Sequence, residues 1–117
     1  MAYLAQVIDD VVVSKFPLDR PKTTIGRRPE SSIQINDTAV SGEHAVITVE
    51  KSQYLDGAVD IFLQDLGSTN GCFINDQPVK GKVRLADKDV VRVAWNKFQL
   101  LQASVEDLEG TAHILDL

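Results

Sequence analysis

Only one cysteine, Cys72, occurs in the 117 residues, so no internal disulfide forms and a reducing, cytoplasmic setting is expected. Long apolar runs are also missing. No stretch approaches the roughly 20 residues that a membrane helix needs. The start, Met1 to Ala5 followed by Asp9-Asp10, has neither the basic opening nor the apolar centre of a secretory signal, so no membrane partner is expected. Basic charge is scarce, with 12 Lys and Arg against 17 Asp and Glu and a net charge of −5. That balance argues against a nucleic-acid partner, whose footprint would be a basic stripe.

The residues that carry catalysis are equally thin. The two histidines, His44 and His113, and the one cysteine do not have the spacing of a zinc site. Asn36, Asp37 and Glu43 lack the dense oxygen ligands of a calcium loop. Neither metal nor cofactor is expected. The glycines at 67 and 71 are not followed by the Gly-Lys-Ser/Thr of a nucleotide P-loop. Ser41 and His44 stand three apart, and a strand would not direct them together as nucleophile and base. The chain is therefore read as a non-enzyme.

What is present is a succession of short strands. The length suits one domain with a genuine core, and the 44% apolar and 25% charged content is that of a globular protein. Strand-like runs are expected at Tyr3–Ile8, Val11–Phe16, Lys22–Ile25, Ile33–Ile35, His44–Glu50, Val59–Asp65, Cys72–Asn75, Pro78–Lys80, Val83–Leu85, Val90–Trp95 and Lys97–Gln102. Eleven runs with turn residues between them predict an all-β, antiparallel-type sandwich. Asp9-Asp10 reads as a hairpin, and Pro17 and Pro21 bracket a connection, since proline cannot donate to a central ladder. In His44–Glu50, Ala45, Ile47 and Val49 share one face, with His44, Val46 and Thr48 on the other. Asn96-Lys97 reads as a two-residue turn flanked by Trp95 and Phe98, whose rings would close one end of the core.

The domain is expected over residues 1–103, followed by an acidic tail at 104–117. In the tail Ser104 resembles a helix N-cap and Gly110 a stop, so it reads as a short capping helix or the start of a linker. The tail holds Glu106, Asp107, Glu109 and Asp116 and no lysine or arginine. The rest of the chain is left at only −1 of the total −5, which leaves room for a local positive pocket.

Three loops concentrate the polar chemistry: Gly26-Arg27-Arg28-Pro29, then Asn36 to Glu43 with Ser41-Gly42-Glu43-His44 at its end, then Leu66-Gly67-Ser68-Thr69-Asn70-Gly71. The last lies between strand-like runs and reads as a hairpin turn on its Asn-Gly pair. An arginine fork, serine and threonine hydroxyls, an asparagine amide and glycine backbones are the groups that bind a phosphate monoester.

Gly26-Arg27, then Ser41-x-x-His44-Ala45, then Asp65-Leu66-Gly67-Ser68-Thr69-Asn70-Gly71, in that order with strand-length spacers, resemble the forkhead-associated (FHA) domain family over roughly Tyr3 to Gln102. The resemblance implies a non-catalytic β-sandwich that binds phosphothreonine-containing segments of partner proteins downstream of a Ser/Thr kinase. By motif it implies that Arg27 and Ser41 hold the phosphate, that the Gly42 amide adds a donor, that Thr69 adds a side-chain hydrogen bond, and that Asn70 fixes the peptide backbone. Gly26, His44, Gly67 and Gly71 are implied as loop-shaping residues, and Arg28 as an auxiliary cation. Ser68 has no assigned role beyond the turn. Ala39 stands where some members carry a basic residue that reads an acidic side chain three positions after the phosphothreonine, so an apolar preference there is expected instead. An FHA-like scaffold without phosphate dependence is the alternative. Thr111 in the tail, if phosphorylated, is a candidate self-ligand.

Overall fold

Alternating apolar and polar side chains give each strand one face to bury. The computed structural model describes residues 2–102 and places the alternation in eleven strands. These are β1 (Ala2–Ile8), β2 (Val11–Pro17), β3 (Lys22–Gly26), β4 (Ile33–Gln34), β5 (Ala45–Lys51), β6 (Val59–Asp65), β7 (Cys72–Ile74), β8 (Gln77–Pro78), β9 (Lys82–Leu85), β10 (Val90–Val93) and β11 (Asn96–Gln102). One sheet runs β2-β1-β11-β10-β7-β8 and the other β4-β3-β5-β6-β9. The pairings are antiparallel except for the short parallel β3–β4 pair. The sandwich expected from the sequence is thus the fold. Among the described residues no helix is long and apolar enough to cross a membrane. The expected tail and its capping helix, with Thr111, lie outside the described residues.

Inward-facing side chains of both sheets form the core. Leu4, Ile25, Ile47, Leu63, Val91, Phe98 and Leu100 are among those fully buried, each contributing about 1.5–3 kcal/mol by leaving water. Every strand end falls within two residues of expectation. The turns differ more, for local causes. At the β10–β11 hairpin Val93 pairs with Asn96, so the turn is Ala94-Trp95, with Ala94 at φ 53°, and not Asn96-Lys97. The expected pairing of Trp95 with Phe98 in the core therefore fails. Phe98 is buried, whereas Trp95 sits at the tip and is 67% exposed, because a shift of register changes which residues face inward. Asn96, the better turn former, instead donates from Nδ2 to Asp37 Oδ2 at 3.2 Å and to the Val93 carbonyl at 3.3 Å.

A second correction concerns residues 66–71. β6 and β7 belong to different sheets, so this loop is a crossover between the layers and not a hairpin turn. Gly67 and Gly71 have φ of 82° and 78°, the left-handed region open to glycine, while Asn70 does not. The loops after β3, β4 and β6 and the β10–β11 turn meet at one end of the sandwich. The Arg27 amide donates to the Ser41 carbonyl at 3.0 Å and the Ala94 amide to the Gly71 carbonyl at 3.1 Å.

Candidate ligand-binding loops

The first loop is laced to the second through its backbone. Besides the Arg27 bond, the Arg28 amide donates to the Gly42 carbonyl at 3.3 Å, and the Ile35 amide to the Gly26 carbonyl at 2.9 Å. This lacing explains the glycine before the arginine: a Cβ at position 26 would stand 2.1 Å from the Gly42 oxygen. Ser41 then joins the second loop to the third, its Oγ accepting the Thr69 amide at 3.1 Å. Asn70 Nδ2 adds a bond of 2.7 Å to the Ala39 carbonyl. Ser41 is thus the point where three loops converge, and because its oxygen acts as acceptor towards Thr69, its own O–H proton is left to donate outward.

His44 holds this junction from below. It is fully buried, and it precedes β5 and does not alternate outward with Val46 and Thr48. Its Nδ1 accepts the Ser41 amide at 3.0 Å and its Nε2 lies 2.8 Å from the Gly71 carbonyl. The second contact requires a proton on Nε2, which fixes the neutral tautomer. One ring therefore ties the second loop to the third.

Asp65 and Ser68 organise the third loop from within. Asp65 Oδ1 accepts the amides of Gly67 and Ser68 at 2.8 and 2.7 Å, its Oδ2 accepts the Ser68 hydroxyl at 2.6 Å, and Ser68 Oγ accepts the Gly71 amide at 2.9 Å. Burial pushes the Asp65 carboxyl up, but the bonds from the Ser68 hydroxyl and amide, the Cys72 thiol and the Gly67 amide outweigh it and leave the group below its ordinary value. Ser68 is therefore an internal strut. Asp at a strand end with Gly and Ser two and three residues on, as in Asp65-Leu66-Gly67-Ser68, is an Asx-turn signal that assigns both residues from the sequence.

Asp65, His44 and Cys72 present ligand-type atoms within 4.8 Å of one another. Both His44 nitrogens are engaged, and burial, then the Asp65 charge and hydrogen bond, push the Cys72 thiol far above its usual range. A metal would need the thiolate and a free ring nitrogen, so the trio works as a hydrogen-bonded scaffold.

On the outside the polar groups stand open. Among the described residues the Arg27 guanidinium and the Thr69 hydroxyl have no hydrogen bond or ion pair, and both residues are exposed. Arg28 lies across Gly42, where a Cβ would come 3.0 Å from its Nε, and pairs with Glu43 at 3.3 Å. The acidic side chain beside the open arginine is thereby neutralised. Ala39 is partly buried, packed against the core.

The FHA-domain family model matches residues 23–94, which takes in all three loops. The chain belongs to the FHA-domain family. Members bind phosphothreonine-containing segments in Ser/Thr kinase signalling and are interaction modules, not enzymes. The glycogen accumulation regulator GarA of Mycolicibacterium smegmatis is 38% identical over 98 residues, 84% of this chain and 57% of that protein. The oxoglutarate dehydrogenase inhibitor of Corynebacterium diphtheriae is 39% identical over 88 residues, 75% of this chain and 54% of that protein. The FHA chain thus spans little more than half the length of these curated relatives. Among solved structures, Mycobacterium tuberculosis EmbR in complex with a low-affinity phosphopeptide superposes with a TM-score of 0.74 at 27% identity, covering 88% of this chain and 24% of that one.

Proposed function

We propose that this FHA domain captures a phosphothreonine of a partner protein at the Ser41 junction, with Arg27 and the Ser41 hydroxyl on the phosphate, the Gly42 amide and the Thr69 hydroxyl as further donors, and Asn70 on the peptide backbone. One observation carries the reading: Ser41 is bonded to both neighbouring loops while the adjacent Arg27 guanidinium is left open. Preorganised donors lose little freedom when the anion arrives, and an unpaired guanidinium matches two phosphate oxygens at once. Gly26, His44, Gly67 and Gly71 shape the loops without touching ligand. Partner and upstream Ser/Thr kinase meet the domain in the cytoplasm. The relatives named as a regulator and as an inhibitor are in keeping with a module that acts by binding and catalyses nothing itself.

The test is a titration of one peptide in its phosphothreonine and unphosphorylated forms. Binding is expected only for the first, weakening as pH falls through the second phosphate pKa of about 6. Equal affinity for the two forms would favour a phosphate-independent scaffold. Discrimination of threonine from serine is expected to be modest unless the loops fit the methyl group closely, since one buried methyl contributes about 0.8 kcal/mol.

A further inference from the structure

Four strands stand at sheet edges, β2 and β8 in one sheet and β4 and β9 in the other, and a free edge invites pairing with another strand unless something blunts it. Three of them are blunted. β4 and β8 have only two residues each, the latter ending in Pro78, and β9 has four, with Lys82 and Arg84 among them. β2 is different. It runs for seven residues, opens with three consecutive valines, and is exposed along its length except at the half-buried Phe16. Of the nine large apolar side chains exposed among the described residues, Ile8, Val11, Val12 and Val13 all belong to the β1–β2 hairpin, each between 45 and 59% exposed. A contiguous apolar patch of this kind marks a contact surface.

We propose that the β2 edge is an interface with a second copy of this chain, the two β2 strands lying antiparallel about a two-fold axis near Val12. Charge selects this occupant. Asp9 and Asp10 precede the valines and Lys15 follows them, and none of the three side chains makes an ion pair or hydrogen bond among the described residues. Asp9 stands three residues before Val12 and Lys15 three after it. The two-fold therefore brings the Asp9-Asp10 turn of each copy to Lys15 of the other, at both ends of the contact, while the valines meet between them. One strand supplies both halves of each charge pair, as an isologous interface requires. A parallel arrangement would instead set Asp9 beside Asp9 and Lys15 beside Lys15, which is unfavourable. The pairing of β2 with β1 skips Val13, a β-bulge that adds local twist and keeps the ladder between copies short. The contact is accordingly small, with a dissociation constant expected on the order of tens of micromolar. None of these residues belongs to the three-loop junction, so the interface does not depend on phosphothreonine capture. Antiparallel pairing also points the loop ends of the two copies in opposite directions, leaving both open.

The experiment is sedimentation equilibrium of the full chain from about 1 µM to 1 mM. The wild type is expected to pass reversibly from monomer to dimer across that range, and to associate less at high salt, where the Asp–Lys pairs are screened. Val12→Lys, which sets two lysines face to face at the axis, should raise the dissociation constant at least about tenfold, and Lys15→Glu about three- to tenfold. Both positions are exposed in the single chain, so circular dichroism and thermal melts of the variants should match the wild type. A wild type that stays monomeric throughout the range overturns the interface, whatever strand of another protein the edge then takes. So does a dimer that persists unweakened in either folded variant, because the contact must then lie elsewhere. A variant that misfolds leaves the other to decide.

Discussion

Beneath the loop end, every polar group of His44, Asp65 and Ser68 that bonds does so to another part of the protein, and His44 is fully buried. On the outer side of the same loops, Arg27 and Thr69 are exposed with side chains that bond to nothing among the described residues. The two layers share three short loops. What separates them is solvation. A buried polar group left unpaired costs about 1–3 kcal/mol, so the inner layer must be complete before any ligand arrives. An exposed arginine loses nothing by waiting in water, and its hydrogen-bonding capacity stays available.

That contrast predicts opposite outcomes for inner and outer substitutions. The largest effect is expected at Gly26, where a Cβ would lie 2.1 Å from a backbone oxygen that cannot swing aside. Gly26→Ala should lower stability by about 3 kcal/mol or more, read as a fall in the thermal unfolding midpoint together with loss of phosphopeptide binding. An unchanged midpoint would mean that the first two loops are not packed as described. His44→Ala should cost about 2–5 kcal/mol, since it removes a buried ring, leaves the Ser41 amide unpaired and leaves the Gly71 carbonyl with the Ala94 amide alone. Chemical denaturation measures this directly.

Arg27→Ala is the outer counterpart. Its cost should appear in binding alone, about 1.5–3 kcal/mol or tenfold to over a hundredfold in Kd, with stability changed by less than about 0.5 kcal/mol. Calorimetric titration beside thermal melts separates the two quantities. A variant that melts early and binds normally would reverse the assignment of Arg27 to the outer layer.

Acid should dissolve the inner layer first. Asp65 is held below its ordinary value of 3.8. Asp37 is lowered likewise, by the Ala39 amide and then by Asn96, against burial. A folded-state pKa below the unfolded one contributes stability in full above the unfolded value and loses it as pH falls through the folded value. Denaturation midpoints should therefore drop below about pH 4, and Asp65→Asn should flatten part of that slope. The smallest effect is expected for Arg28→Ala, at most about 1 kcal/mol in stability, because both partners of its ion pair are largely solvated.

Much of this was legible in the residues. Alternation gave the strand count, and the three motifs pointed to the loops that meet. The misreadings share one cause, the use of local turn chemistry where distant contacts decide. Asn70-Gly71 has the letters of a hairpin turn, yet β6 and β7 join different sheets. Asn96 suits a left-handed turn position, yet its amide is taken by Asp37, 59 residues away in sequence, and Ala94 takes the positive φ instead. Ser68 gains its role from Asp65, which ends β6 and at the same time bonds back into the loop.

The sequence by itself determined the fold class, since period-two alternation with polar breaks admits few packings other than two facing sheets. Through its family resemblance it also singled out Arg27 and Ser41 for a phosphate, Thr69 as a further donor and Asn70 for a peptide backbone, assignments that phosphopeptide titration tests. Only the tertiary structure decided how those groups stand. The Arg27 and Ser41 loops are joined by a backbone bond that no side-chain identity encodes, His44 became a strut through contacts to Ser41 and Gly71, and Arg28 found Glu43 across the space that Gly42 leaves empty. Sequence spacing specifies which groups are available, while hydrogen bonding in a buried junction depends on distances that exist only once both sheets have closed.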